Sequence, residues 1–181
     1  MLSHPLTSDA ELRALEPWRA PEFAEFIAAH RDHLAPWLPW AVRLTDVDAT
    51  RAWLQAYAER QARDEGRIYG IWQHGVLVGG TLFRVFDHAS GTAEIGVWLA
   101  PDAQGQGLIT RAATHMIDWV VRERGMHRVE WRTVPTNAAS IACAERLGMH
   151  LDGRLRECFP HGGVRHDALV YSLLAPEWTA R

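Results

Sequence analysis

A glycine-rich turn between a predicted strand and a predicted helix is the part of the sequence best suited to chemistry. The turn reads Gln104-Gly105-Gln106-Gly107. The N–H groups in the first turn of a helix have no partner within the helix, and the helix dipole favours negative charge there. The segment therefore indicates a cradle for a phosphate or pyrophosphate. An ordinary tight turn is the alternative, because two glycines alone are weak evidence.

Two common nucleotide-binding motifs do not fit this turn. A P-loop requires Gly-Lys followed by Ser or Thr, whereas Gly107 is followed by Leu108 and Ile109. A dinucleotide fingerprint requires a third glycine, and Thr110 occupies that position. Both motifs are therefore disfavoured.

A second informative segment is a helix that we predict over residues 137–147. Asn137 is a good N-cap, and Ser140 lies one turn into the helix. Gly148 stands where a helix commonly ends in a left-handed residue, directly before a predicted strand.

Together these two segments resemble the GNAT superfamily of acyl-coenzyme A dependent N-acyltransferases. The run from Gln104 to Ile109 is similar to the family's Q/R-x-x-G-x-G/A pyrophosphate loop, with Ile109 where the general motif has Gly or Ala. Residues 137–149 are similar to its second signature helix. Residues 93–99, followed by the loop, resemble the RimJ/RimL branch, whose members acetylate the N-terminal amine of ribosomal proteins. Relatives of that branch act on small amines.

The resemblance implies an enzyme that moves an acetyl group from acetyl-CoA, as cosubstrate, to a primary amine by direct attack in a ternary complex, with no metal. The implied acceptor is the N-terminal α-amine of a ribosomal protein. A small-molecule amine such as an antibiotic, or a non-catalytic acyl-CoA-binding sensor, is the alternative. The implied coenzyme-binding residues are Trp98, Leu99, Gln104, Gly105, Gln106, Gly107, Leu108, Ile109, Thr110 and Asn137.

Attack of an amine on a thioester requires a base for the ammonium proton, and it is helped by donors to the oxyanion and the sulfur. Glu94 is our candidate base, because strand alternation puts it on the same face as Trp98 and opposite the apolar Ile95 set. A solvated or salt-bridged glutamate is the alternative.

The hydroxyl of Ser140 is implied by the resemblance to hydrogen-bond or protonate the sulfur, and an ordinary first-turn serine is the alternative. Ala144 stands where many relatives carry a tyrosine that protonates the thiolate. Cys143 could act as a nucleophile, but we favour a buried helix cysteine.

Aromatic and charged side chains suggest further contacts. Most of the nine tryptophans are expected to pack in the core, but Trp37 and Trp40 lie in a proline-bounded segment that we predict to be a stiff loop. They could form a wall of the acceptor pocket or contact a second subunit in a homodimer. Near the last predicted hairpin, four basic residues could contact an acidic acceptor or a ribose phosphate, or form a solvated edge: Arg154, Arg156, Arg165 and His166.

The elements that must position these residues follow from periodicity. We predict a strand over 10–16, helices over 21–34 and 47–62, and a three-stranded meander over 67–72, 76–85 and 92–99. A helix over 108–124, a strand over 128–134, the helix over 137–147 and strands over 149–159 and 164–174 follow. This order predicts an α+β fold with one mixed, mostly antiparallel sheet flanked by helices.

Composition and length limit the number of domains and the kinds of partner. The 181 residues suit one domain over 1–181 with a core at about 10–174, and the formal charge of -3 gives no reason to expect a nucleic-acid partner. The two cysteines have no CxxC spacing, and the ten histidines show no metal-binding spacing. No secretion signal or membrane span is evident, so we expect a cytoplasmic protein.

Overall fold

The computed structural model describes residues 3–180 and contains, over that range, eight strands and six helices. The strands are β1 (Ser3–Pro5), β2 (Ala10–Ala14), β3 (Ile68–Gln73), β4 (Val76–Asp87), β5 (Thr92–Leu99), β6 (Arg128–Thr133), β7 (His150–His161) and β8 (Val164–Leu174). The helices are α1 (Ala20–Leu34), α2 (Pro39–Arg43), α3 (Val47–Ala62), α4 (Leu108–Arg122), α5 (Ala138–Arg146) and α6 (Ala175–Thr179). The predicted order is confirmed, and β1, α2 and α6 are additions to it.

All eight strands hydrogen-bond in the order β1-β2-β3-β4-β5-β6-β8-β7. β5 and β6 run parallel, and the β1/β2, β2/β3, β3/β4, β6/β8 and β7/β8 pairs are antiparallel. A parallel pair needs a crossover connection, which α4 supplies. The predicted α+β class with a mixed, mostly antiparallel sheet is confirmed.

Contacts within the chain group its residues into two compact units. The first runs up to Leu82 and includes Val97–Ala112, and the second comprises Phe83–Gly96 and the chain from Ala113 onward. The chain passes between them within β4, β5 and α4. That residues 1–181 form one domain stays a prediction.

In the first unit, helices α1 and α3 pack against each other, and aromatic side chains fill much of the core. Asp46 caps α3 as predicted, since its Oδ1 accepts a hydrogen bond of 2.8 Å from the N–H of Ala49. The predicted hairpin turn between β3 and β4 is also present, with positive φ at His74 and Gly75.

The prediction that Trp40 lies on a loop was wrong. Pro39 begins the short helix α2, because the fixed φ of proline suits the first helical position. Trp40 therefore lies in the first turn of that helix and is only 8% exposed.

In the second unit, β8 lies between β6 and β7 and is antiparallel to both. The predicted turn between β7 and β8 is confirmed, with φ of +59° at Gly162 and +77° at Gly163. Phe83 and Phe86 of β4 pack on Trp119 of α4, with ring centroids 5.9 and 6.0 Å from it. Each helix within residues 3–180 is too short or too polar to cross a bilayer.

Candidate active site

The glycine-rich loop has the backbone geometry of an anion cradle. Gly105 and Gly107 have φ values of +77° and +74°, a conformation that side chains other than glycine rarely adopt. The carbonyl of Gly107 accepts the first hydrogen bond of α4, from the N–H of Arg111 at 3.0 Å. Gly107 is thus the N-cap of α4, and as a glycine it has no side chain to cap the free N–H groups.

The N–H groups of residues 105–110 therefore stay available to a ligand. They donate to no acceptor within residues 3–180. A Cβ built on Gly105 or Gly107 would meet no atom within 4 Å, so the space over both glycines is open. Successive unpaired N–H groups at a helix N-terminus suit a phosphate or pyrophosphate.

The two glutamines of the loop use their side chains to brace it. Gln106 Oε1 accepts from Gln73 Nε2 at 2.7 Å, and the same Gln73 nitrogen donates to Asp9 at 3.0 Å. Gln104 Nε2 lies 3.1 Å from Nε2 of His33 on α1, with the amide as donor to the ring. These hydrogen bonds join the loop to β3 and α1 of the same unit. The N–H groups of the loop remain free for a ligand.

Trp98 of β5 belongs to an aromatic cluster of the first unit. Its ring centroid lies 5.8 Å from that of Phe23 and 5.5 Å from that of Trp40. A Cβ on Gly80 would collide with the indole, so glycine at that position admits the ring. The Nε1 of Trp98 is buried and has no acceptor within residues 3–180. Coenzyme contacts from Trp98 and the half-buried Leu99 stay predictions.

Trp40 is enclosed by the same cluster. Its ring lies 5.7 Å from that of Phe23 and 5.6 Å from that of Trp53. Trp40 thus packs in the core of the first unit, as we expected for most of the other tryptophans. Trp37 is half-buried. That Trp37 and Trp40 line the acceptor pocket, or contact a second subunit, stays a prediction.

Glu94 lies in the second unit, at the last residue pair joining β5 to β6. It is 3% exposed. Its Oε1 accepts from Nε of Arg84 at 2.6 Å, and its Oε2 lies 3.6 Å from Nε of Arg132. Both carboxylate oxygens thus face a guanidinium, which is the salt-bridged geometry of the alternative hypothesis. The role of base stays a prediction.

Strand alternation did not separate buried from exposed residues in β5. Ile95 is buried like Glu94 and Trp98, whereas Val97 and Leu99 of the predicted apolar set are half-exposed. Alternation predicts burial only where one face of a strand meets solvent, and here residues of both faces are covered.

The arginines around Glu94 continue into a charged chain across the second unit. Arg132 also binds Glu130 at 2.9 Å, and Arg128 binds both Glu130 and Asp152. Burial raises the pKa of Glu130, but hydrogen bonds from Arg128 and Arg132 outweigh that effect and leave its pKa below the ordinary value. Hydrogen bonding from Arg128 likewise lowers the pKa of Asp152. Both groups therefore stabilise the fold as anions.

Asn137 and Ser140 lie at the N-terminus of α5. Asn137 Oδ1 accepts from the N–H of Ser140 at 3.1 Å, so the predicted cap is confirmed. Ser140 Oγ accepts a 2.9 Å hydrogen bond from the indole Nε1 of Trp131. Both Asn137 and Ser140 are half-buried and hence reachable from solvent.

An open pocket of about 290 Å³ lies beside the N-terminus of α5 in the second unit. Its lining residues are Val134, Pro135, Thr136, Arg154, Glu157, Arg165, His166 and Asp167. Three of the four basic residues singled out from the sequence line this pocket: Arg154, Arg165 and His166. Arg154 and Arg165 are exposed on the last hairpin, as the alternative of a solvated edge expected. Contact with an acidic acceptor or a ribose phosphate stays a prediction. Arg156 is not among the lining residues.

Glu157 was missed at the sequence level. Its φ of +50° is strained for a residue with a side chain, and it lies in an irregularity of β7 between Leu155 and Phe159. Asp167 holds it there by accepting from its N–H at 2.7 Å, and this bond together with Arg154 lowers the pKa of Asp167. No sequence signal marks such a bulge.

The remaining candidates lie within α5. Cys143 is buried, as the packing interpretation predicted, and Ala144 is fully buried. Within residues 3–180, no three His, Cys, Asp or Glu side chains are grouped so as to hold a metal ion.

Comparison with known proteins identifies the family. Residues 10–150 match the model of the acetyltransferase (GNAT) domain. A putative ribosomal N-acetyltransferase of Bacillus subtilis, YdaF, is 32% identical over 92% of each chain. The chain belongs to the GNAT acetyltransferase family. The ribosomal-protein-serine acetyltransferase of Escherichia coli is 25% identical over 84% of this chain and 85% of its own.

A solved structure agrees in fold. RimL, a ribosomal L7/L12 α-N-protein acetyltransferase in complex with coenzyme A, superposes with a TM-score of 0.91. It is 24% identical and covers 96% of this chain, which covers 98% of RimL.

The protein is thus an acetyl-CoA-dependent N-acetyltransferase, with acetyl-CoA as its acyl donor. The site fits this cosubstrate. The unpaired N–H groups of residues 105–110 suit its pyrophosphate, because they combine several donors with the positive end of α4. The enzymatic assignment replaces the alternative of a non-catalytic sensor.

Proposed function

We propose that this acetyltransferase acts on the N-terminal α-amine of a ribosomal protein, by direct transfer in a ternary complex. The observation that carries the proposal is the 32% identity to the putative ribosomal N-acetyltransferase YdaF over 92% of both chains. The Escherichia coli relative, named for acetylating a ribosomal protein on serine, supports it. The acetyl group would come from acetyl-CoA, whose pyrophosphate the loop of residues 104–110 would bind. A coenzyme contact from Asn137 stays a prediction.

The reaction assigns a separate task to each candidate residue. The amine nitrogen attacks the thioester carbon, and the carbon–sulfur bond then breaks with its electron pair on sulfur. Glu94 would take the ammonium proton through a water molecule, since both of its oxygens already face arginines. Ser140 would donate a hydrogen bond to the sulfur as negative charge develops there.

The acceptor is tested with peptides that differ only at the amine. Purified enzyme and acetyl-CoA are incubated with peptides copying ribosomal-protein N-termini, and thiol release is followed. Every peptide contains an internal lysine, and the control peptides have the same sequence with the α-amine blocked. We expect release with the free α-amine peptides alone. Turnover of small amines without any turnover of these peptides would overturn the proposed acceptor and favour a small-molecule acetyltransferase.

Glu94→Gln tests the proposed base. We expect kcat to fall about tenfold at pH 7, less than the ~10²-fold typical of a direct base, because the proton would pass through water. The Kd of acetyl-CoA, measured by calorimetry, should stay unchanged. An unchanged kcat accompanied by a lower melting temperature would contradict the role of base and leave Glu94 as an anchor for Arg84 and Arg132.

A further inference from the structure

The hydrogen bond between Trp131 and Ser140 fixes the role of the serine oxygen as an acceptor. Trp131 lies on β6, is 2% exposed, and pairs in register with Tyr171 of β8. Its Nε1 lies 2.9 Å from Oγ of Ser140. An indole nitrogen can only donate, so the serine oxygen must be the acceptor in this bond.

The acceptor role decides what the hydroxyl proton of Ser140 can do. A serine hydroxyl has one proton, and in a helix this proton often binds the carbonyl one turn earlier. Ser140 makes no such bond, and its hydroxyl donates to no acceptor within residues 3–180. The backbone N–H of the same residue is occupied by Asn137 Oδ1 at 3.1 Å. The proton is therefore left for a group outside the chain.

We propose that Trp131 is a positioning residue, which holds Ser140 Oγ as an acceptor and so reserves the hydroxyl proton for the sulfur of the leaving coenzyme. This rests on the proposed function, in which Ser140 faces the thioester sulfur. When the carbon–sulfur bond breaks, its electron pair goes to sulfur, and Ser140 donates a hydrogen bond to it while keeping its own proton. The coenzyme leaves as a thiolate and takes a proton from solvent.

Two features make the indole a strong orienting group. Trp131 is fully enclosed, so its N–H has no competing water, and a buried donor keeps its one partner because an unmade bond is costly. Donation into Ser140 Oγ also polarises the hydroxyl and strengthens the hydrogen bond that it donates. Without the indole N–H, the Ser140 hydroxyl would be free to rotate away from the orientation that this bond imposes.

The test is a double-mutant cycle on kcat with Trp131→Phe, Ser140→Ala and the combined variant. Phenylalanine removes the N–H and keeps an aromatic ring in the core. We expect Trp131→Phe to lower kcat about tenfold, which corresponds to the loss of about one hydrogen bond, with the Kd of acetyl-CoA unchanged. Adding it to Ser140→Ala should cause no further loss of kcat, because Trp131 acts only through Ser140.

A matched control separates this effect from lost stability. Trp72 of the first unit is 1% exposed and donates its Nε1 to Glu22 at 2.7 Å. Trp72→Phe removes the same kind of hydrogen bond, so we expect a lower melting temperature with kcat unchanged. Melting temperatures of all variants are measured alongside kcat and Kd.

Two results would overturn the role of Trp131, and a third would count against the proposed function. A kcat loss for Trp131→Phe that persists at full size in the Ser140→Ala background would overturn the proposal, since it would show a structural effect independent of the serine. Normal turnover of Trp131→Phe beside an impaired Ser140→Ala would also overturn it, while leaving the proposed function intact. Absence of wild-type turnover with every amine would count against the proposed function itself.

Discussion

Gly107→Asp is expected to abolish acetyl-CoA binding, with Kd raised at least about a thousandfold, or about 4 kcal/mol. The new carboxylate would stand at the N-cap of α4, beside the N–H groups that suit the pyrophosphate, and repel its negative charge. It could also cap those N–H groups itself and so compete with the ligand. Isothermal titration calorimetry with acetyl-CoA measures the effect.

Two further variants separate charge from backbone strain. Gly107→Asn has nearly the same shape without the charge, so we expect it to weaken binding less than Gly107→Asp does. Gly125→Asp places the same side chain at another glycine of positive φ, +68°, which also has no atom within 4 Å of a built Cβ. It should lower the melting temperature and leave acetyl-CoA affinity unchanged. Undiminished binding by Gly107→Asp would refute the cradle.

Ser140→Ala is expected to lower kcat by about 10²-fold, the effect typical of removing one donor to a developing charge. The Kd of acetyl-CoA should change little, because the hydrogen bond to sulfur strengthens only as the carbon–sulfur bond breaks. The cap of α5 should survive, since Asn137 binds the backbone N–H of residue 140 and not its side chain. Steady-state kinetics and calorimetry measure the two constants.

Ser90→Ala is the control for the serine substitution. Ser90 also has a hydrogen-bonded hydroxyl, which donates to Asp87 at 2.7 Å in the exposed turn before β5. We expect its kcat to match that of the wild type. A Ser140→Ala enzyme with normal kcat would remove the serine from the mechanism and leave it as an ordinary first-turn residue.

Much of the fold could be predicted because local sequence signals mark where its helices and strands begin and end. Asp46 caps α3, and Gly162 with Gly163 forms the turn of the last hairpin. Each of these residues acts on its immediate neighbours in the chain. β1 has no such signal, because its three residues become a strand only by pairing with β2. Trp40 was misplaced for a related reason. A proline can lie in a stiff loop or begin a helix, and the burial of the Trp40 ring against Phe23 accompanies the helix that Pro39 begins.

The site was predictable where backbone conformation defines it. Gly105 and Gly107 must have positive φ, and glycine is the residue that permits this. The side-chain bonds were not predictable, since they join distant parts of the chain. Gln104 and His33 are 71 residues apart, and the single sequence gives no sign that they meet. The arginines around Glu94 and the indole bound to Ser140 come from other strands for the same reason.

The ion pairs of Glu94 also have a consequence for how the sheet is assembled. β5 and β6 pair over only three positions, from Thr92 to Glu94, so hydrogen bonding alone distinguishes poorly between neighbouring alignments. A slip by one residue would turn Arg132 to the opposite face. A slip by two would shift it by about 6.6 Å from Glu94 and break the pair. The buried carboxylate thus selects one alignment of these two strands as the chain folds.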